Sequence, residues 1–146
     1  MKEKNWRVLG FNIAVCGAVL VAIALTALLW PRGALTVMPR VESATWCEVT
    51  RNRTAGITDT TEPLTHEQMT ALRAGLAETT LQWAGRRPGG ISFGWDKPLY
   101  RLLLDDPGHF EMVDQHVYYD GWSYRLSEED AQRLTNLLDS LLPDAT

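Results

Sequence analysis

From Val8 to Trp30 the chain reads VLGFNIAVCGAVLVAIALTALLW, an apolar run with no charged residue in it. At 1.5 Å of helical rise per residue, about 23 residues reach roughly 34 Å, enough to cross the hydrocarbon of a bilayer with some tilt. A cleaved signal peptide would show a shorter apolar region of about 7–15 residues and a small-x-small cleavage site. This run instead continues straight into LLWPRG. A core helix buried on every side needs more surrounding protein than a chain of 146 residues supplies. The pattern therefore predicts a retained transmembrane helix over 8–30. Trp6 and Trp30 would stand at its two interfaces, and Pro31 and Gly33 would stop it.

Beyond the span the periodicity changes. Residues 31–40 carry Gly, Pro and small side chains without a period and read as a juxtamembrane linker, with the fold starting near Val41. VESATWCEVTRN alternates β-branched, aromatic and polar positions and predicts a strand, and RTAGITDTTEP predicts a loop. A helix follows, headed by a capping box of Thr65 and Gln68, with Leu64 stapled on Met69 and an apolar face of Met69, Leu72 and Leu76. TTLQWAG and ISFGW read as strands, and PLYRLLL and HFEMV as a hairpin turning at DDPG. QHVYYDGWSYRLS carries the sharpest local signal. Asp120-Gly121 suits a type I′ turn and sets Tyr119 opposite Trp122 and Val117 opposite Tyr124. The last element is a helix capped by Ser127, with Glu128, Glu129 and Asp130 in its first turn and Pro143 beyond its end. Its apolar face is Ala131, Leu134, Leu137, Leu138 and Leu141. Together these predict an α+β fold over 41–146, a small antiparallel sheet packed with two helices.

Charge sets the orientation. Lys2, Lys4 and Arg7 precede the span and Arg32 and Arg40 follow it, which predicts a cytoplasmic tip at 1–7 and an extracytoplasmic domain. The first 30 residues hold three of the 14 basic and one of the 18 acidic residues, so the remainder carries 11 against 17 and is more acidic than the net −4 of the whole chain. Nucleic acid is an unsuitable partner for such a domain, and no juxtamembrane basic cluster of the kind that binds anionic lipid follows the span. Within the span Gly10, Ala14, Ala18 and Ala22 recur every fourth residue with Gly17 beside them. This small-residue stripe would let a second helix or a second copy approach closely, though Gly and Ala are also simply common in membrane helices.

Catalytic motifs are scarce. HEQMT at His66 begins like the zinc-protease signature, but Thr70 stands where the second histidine is needed. His109 and His116 are scattered, and two cysteines, Cys16 in the span and Cys47 outside it, can neither form an intrachain bridge nor make a thiolate metal site. Cys47 reads as a small buried hydrophobe, with an intermolecular bridge as the alternative. No nucleophile elbow or phosphate-binding loop occurs, and Asp105 and Asp106 beside Pro107-Gly108 read as turn residues. Asn52 to Thr54 forms a glycosylation sequon. No cofactor or metal is expected.

The sequence thus predicts a single-pass membrane-anchored protein that presents a small acidic domain to another protein or an envelope component. The alternative is a membrane-tethered hydrolase with a dispersed site, which would show a pocket of carboxylates or histidines with shifted pKa values. Strand alternation in the last hairpin divides two faces. Val117, Tyr119, Trp122, Tyr124 and Leu126 would fill the core. His116, Tyr118, Ser123 and Arg125 would be exposed as the partner-binding face.

Overall fold

The computed structural model describes residues 2–53, 56–89, 97–105 and 110–142, with side chains from Gly10 onward. The expected strand at 91–95, Asp106, Pro107 and Gly108 of the DDPG turn, Thr54 of the sequon, His109, Pro143 and the Trp6 side chain lie outside the described residues. The chain forms two units, divided between Trp30 and Pro31.

The first unit is one helix, α1 (Lys2–Leu29). Its stretch Gly10–Leu29 is long and apolar enough to cross a membrane, and no part of that stretch is buried within the protein. The Thr26 hydroxyl donates to the Ala22 carbonyl at 2.8 Å, satisfying within the helix the hydroxyl group of the apolar run that most needs a partner. Gly10, Ala14, Ala18 and Ala22 all lie on α1.

The second unit begins at once with β1 (Arg32–Gly33), followed by α2 (Ala34–Val37), α3 (Pro39–Ser43), β2 (Cys47–Asn52), β3 (Thr58–Thr60), α4 (His66–Ala77) and β4 (Thr80–Arg86). Then come β5 (Leu99–Leu104), β6 (Phe110–Val113), β7 (His116–Tyr119), β8 (Trp122–Arg125) and α5 (Glu128–Leu141). The strands make an antiparallel sheet of eight in the order β1-β4-β8-β7-β6-β5-β2-β3. Its centre is the meander β5 to β8, with the β2–β3 hairpin on one flank and β4 with β1 on the other. The α+β fold read from the sequence therefore holds.

Residues 31–40 are not a linker. Ala34, Met38 and Val41 are at most 1 % exposed and belong to the hydrophobic core, and the Ala34 amide donates to the Thr79 carbonyl at 2.9 Å. The reason is one of spacing: the buried positions 34, 38 and 41 fall three and four apart, so two short helical turns bring them to one side. Pro39 at the head of α3, where its missing N–H costs nothing, starts the second of these turns. The helix also shortens the expected strand, which begins at Cys47 rather than Val41. In the stretch read as a loop, Thr58–Thr60 pairs with β2 as an edge strand.

Local signals elsewhere match their elements. Thr65 accepts from the Gln68 amide at 3.3 Å while the Gln68 side chain accepts from the Thr65 amide at 2.9 Å, a complete capping box. The Ser127 hydroxyl accepts from the Asp130 amide at 3.0 Å. Helices α4 and α5 cover one face of the sheet: Met69, Leu72 and Leu76, and Ala131, Leu134, Leu138 and Leu141, share a core with Val49, Leu102, Phe110, Met112, Val117 and Tyr119. At Gly75 an added Cβ would stand 2.3 Å from Leu137 Cδ2, so the missing side chain is what lets the two helices approach so closely.

Candidate functional site

The last hairpin has the expected register. Asp120 and Gly121 take φ of 52° and 80°, as a type I′ turn requires, and Tyr119 pairs with Trp122, Tyr118 with Ser123, Val117 with Tyr124 and His116 with Arg125. Val117, Tyr119 and Leu126 enter the core and Tyr124 packs against it, whereas His116, Tyr118, Ser123 and Arg125 share the opposite face of the sheet. The structure thus brings all four proposed binding residues together.

Burial departs from the expectation at three residues. Tyr118 and Ser123 were expected on the exposed face, yet they are only 8 % and 6 % exposed; Trp122 was expected in the core and is 40 % exposed. Tyr118 sits mid-sheet, paired with Glu111 on one side and Ser123 on the other. The Arg87 guanidinium lies over its ring at 5.6 Å, and the His116 ring stacks beside it at 6.4 Å. Trp122 stands one strand nearer the β1 flank, at the turn end of β8, and leans on Trp83 instead of entering the core, with ring centroids 6.1 Å apart. His116 and Arg125 are exposed as expected.

Pairing across β6 and β5 adds three residues that the sequence reading missed. Arg101 stands opposite Glu111, which stands opposite Tyr118. Glu111 accepts from Arg101 Nε at 2.9 Å and from an Arg87 terminal nitrogen, so one carboxylate, 7 % exposed as a residue, is held by two guanidinium groups. Arg87, Arg101 and Arg125 against Glu111 leave this patch cationic in an otherwise acidic domain. Its planar guanidinium groups and flanking aromatic rings are the side-chain types enriched at protein contacts. The β5–β6 hairpin was legible in the sequence; the register that aligns Arg101 with Glu111 was not, because five residues separate the strands and DDPG alone does not fix their pairing.

A second charged cluster lies on the helix side. Arg51 pairs with Asp59 at 3.0 Å and with Asp139 at 2.7 Å, Tyr100 donates to Asp139 at 2.7 Å, and Arg53 pairs with Asp59 at 2.7 Å. The hydrogen bond from Arg53 and, against a partial opposing effect of burial, that from Arg51 hold the Asp59 carboxyl below its ordinary value, while burial and then Asp139 push the Tyr100 phenol up. These groups bind one another and clasp β2, β3 and α5 together. Burial likewise pushes the Cys47 thiol up to about 12, far from the lowered value a nucleophilic thiol needs.

Other motif residues have structural places. His66 opens α4 and its carbonyl accepts from the Thr70 hydroxyl at 2.8 Å. Asp105 accepts from the Thr45 amide at 2.9 Å and so ties the end of β5 to the segment before β2. Asn52 is half-buried in β2, paired with Leu99 and Thr58. Among the described residues no three His, Cys, Asp or Glu side chains gather as a metal site. No protein-family model, no curated protein and no solved structure matches this chain.

Proposed function

We propose that this protein is a single-pass membrane protein, its N-terminus cytoplasmic, whose domain from Pro31 onward binds another protein or an envelope component outside the membrane. The supporting observation is an unburied apolar helix, followed in the chain by a domain with a hydrophobic core of its own. Exposing about 20 leucine-, valine- and alanine-rich residues to water is costly, and a bilayer removes that cost. The excess of basic residues before the span supports the orientation. The binding surface is the sheet face of His116 and Arg125, underlain by Tyr118, Ser123 and the Arg87–Glu111–Arg101 group. The stripe at Gly10, Ala14, Ala18 and Ala22 offers a contact for a second membrane helix, including that of a second copy.

Two measurements test this reading. Alkaline carbonate extraction should leave the full chain in the membrane pellet, and external protease on intact cells should remove the domain. A soluble full-length chain, or a domain protected while the membrane stays intact, would refute it. For the surface, a photo-crosslinking residue in place of Arg125 should yield a discrete adduct that the same residue in place of Gln132, exposed on α5, does not. Equal yields at both positions would remove the sheet face from the proposal.

A further inference from the structure

The domain's flank at β1, β4 and β8 carries a second exposed surface of different character. Trp83 and Trp122 lie against each other with their planes tilted by 51°, and Trp122 remains 40 % exposed. Tyr124, half-buried, stands opposite Trp83, and Arg86 stands opposite Trp122, so all four side chains share one side of the sheet. Arg40 joins them through its ion pair with Asp120 at 3.4 Å. Arg32 stands opposite Leu81, two residues before Trp83 and on the same side of β4, and its positive charge partly offsets the burial that pushes the Tyr124 phenol up. Arg32, Arg40 and Arg86 come from β1, α3 and β4, so the linear sequence after the span shows only two of the three.

We infer that this corner beds into the headgroup layer of the bilayer that holds the span, with the paired Trp83 and Trp122 indoles at the ester level and Arg32 and Arg86 on lipid phosphates. Two features favour a lipid surface over other occupants. Tryptophan beside arginine is the chemistry of the membrane interface: the ring is amphipathic, and the guanidinium forks onto phosphate while its stem stays in apolar surroundings. The corner also lies close to the proposed span along the chain. Arg32 is two residues past Trp30 and already belongs to β1, so no tether separates the span's end from this strand. The inference rests on the proposed anchoring, and its test separates the two.

The full chain is reconstituted in phospholipid vesicles, and its tryptophan fluorescence is measured with and without lipids brominated near the ester level. Trp83→Phe with Trp122→Phe should lower the quenched amplitude by a share comparable to two of the six tryptophans. Arg32→Glu with Arg86→Glu, which keeps every indole, should lower it similarly while the urea midpoint stays in place. If Trp6→Phe with Trp30→Phe lowers quenching and neither corner variant does, the chain is anchored and the inference is wrong. If Trp6→Phe with Trp30→Phe has no effect either, the anchoring itself fails and the inference with it. An unquenched corner that instead cross-links to a second copy in the Trp122→Cys variant would assign the surface to self-association and overturn the lipid reading.

Discussion

Replacing Met38 by alanine separates a tether from a core element more sharply than any other single change. The substitution removes Cγ, Sδ and Cε from a side chain that is 1 % exposed among Ala34, Val41 and the α4 leucines of the same core. Three buried groups at about 0.8 kcal/mol each give about 2.4 kcal/mol of lost transfer energy. The cavity left behind adds to this, and the short helices α2 and α3 can collapse partly into it, so the expected loss is about 3 kcal/mol. For a domain of this size each kcal/mol moves the midpoint by about 4 °C, which puts the shift at about 12 °C. The assay is near-ultraviolet circular dichroism of the full chain in detergent micelles, with urea titration to confirm that the midpoint moves at constant slope. Thr36→Ala, at an exposed position two residues away in α2, is the control and should shift the midpoint by less than about 2 °C. If Met38→Ala and Thr36→Ala melt together, residues 31–40 are a tether and the core assignment of Met38 is wrong.

Three further outcomes are expected. Tyr118→Ala should cost about 3 kcal/mol and Trp122→Ala about 2 kcal/mol, because the first side chain is 8 % exposed and the second 40 %; a clearly larger loss at Trp122 in urea titration would contradict the burial seen here. With its thiol pushed up to about 12 by burial, Cys47 in a Cys16→Ser background should alkylate at pH 8 only as fast as the domain opens. Rapid labelling of the native protein, or a dimer band on non-reducing gels that Cys47→Ser removes, would overturn this. Because the folded Asp59 carboxyl is held below its ordinary 3.8, its contribution is present above that value and is lost as pH falls through the lower folded pKa. Asp59→Asn should therefore flatten the acid limb of a stability–pH curve below about pH 4 while lowering stability at pH 7, and an unchanged acid limb would refute the pairing.

The long apolar helix, the caps and the final hairpin were legible in the sequence because each is fixed within a few residues of itself. An apolar run needs only its length, Thr65 and Ser127 need only the amides two or three positions on, and Asp120-Gly121 needs only its tolerance of positive φ. The hairpin's register followed from that turn, and with it the gathering of His116, Tyr118, Ser123 and Arg125 on one face. How deeply each of those residues is buried did not follow. Alternation assigns a side chain to a face, but its exposure depends on which elements, distant in sequence, arrive over that face. Arg87 over Tyr118, the order of β4 beside β8, and the core role of Ala34, Met38 and Val41 are contacts of that kind. The Trp83–Trp122 corner likewise exists only because β4 and β8, far apart in the chain, are hydrogen-bonded neighbours, and Arg87, just past β4, joins the Arg101–Glu111 pair from outside its hairpin. The sequence by itself determined the long apolar helix, the α+β class and the local geometry of its turns and caps. Tertiary structure alone decided where the domain begins, which aromatic rings face solvent and which charges meet, because those are set by packing between segments that no local pattern connects.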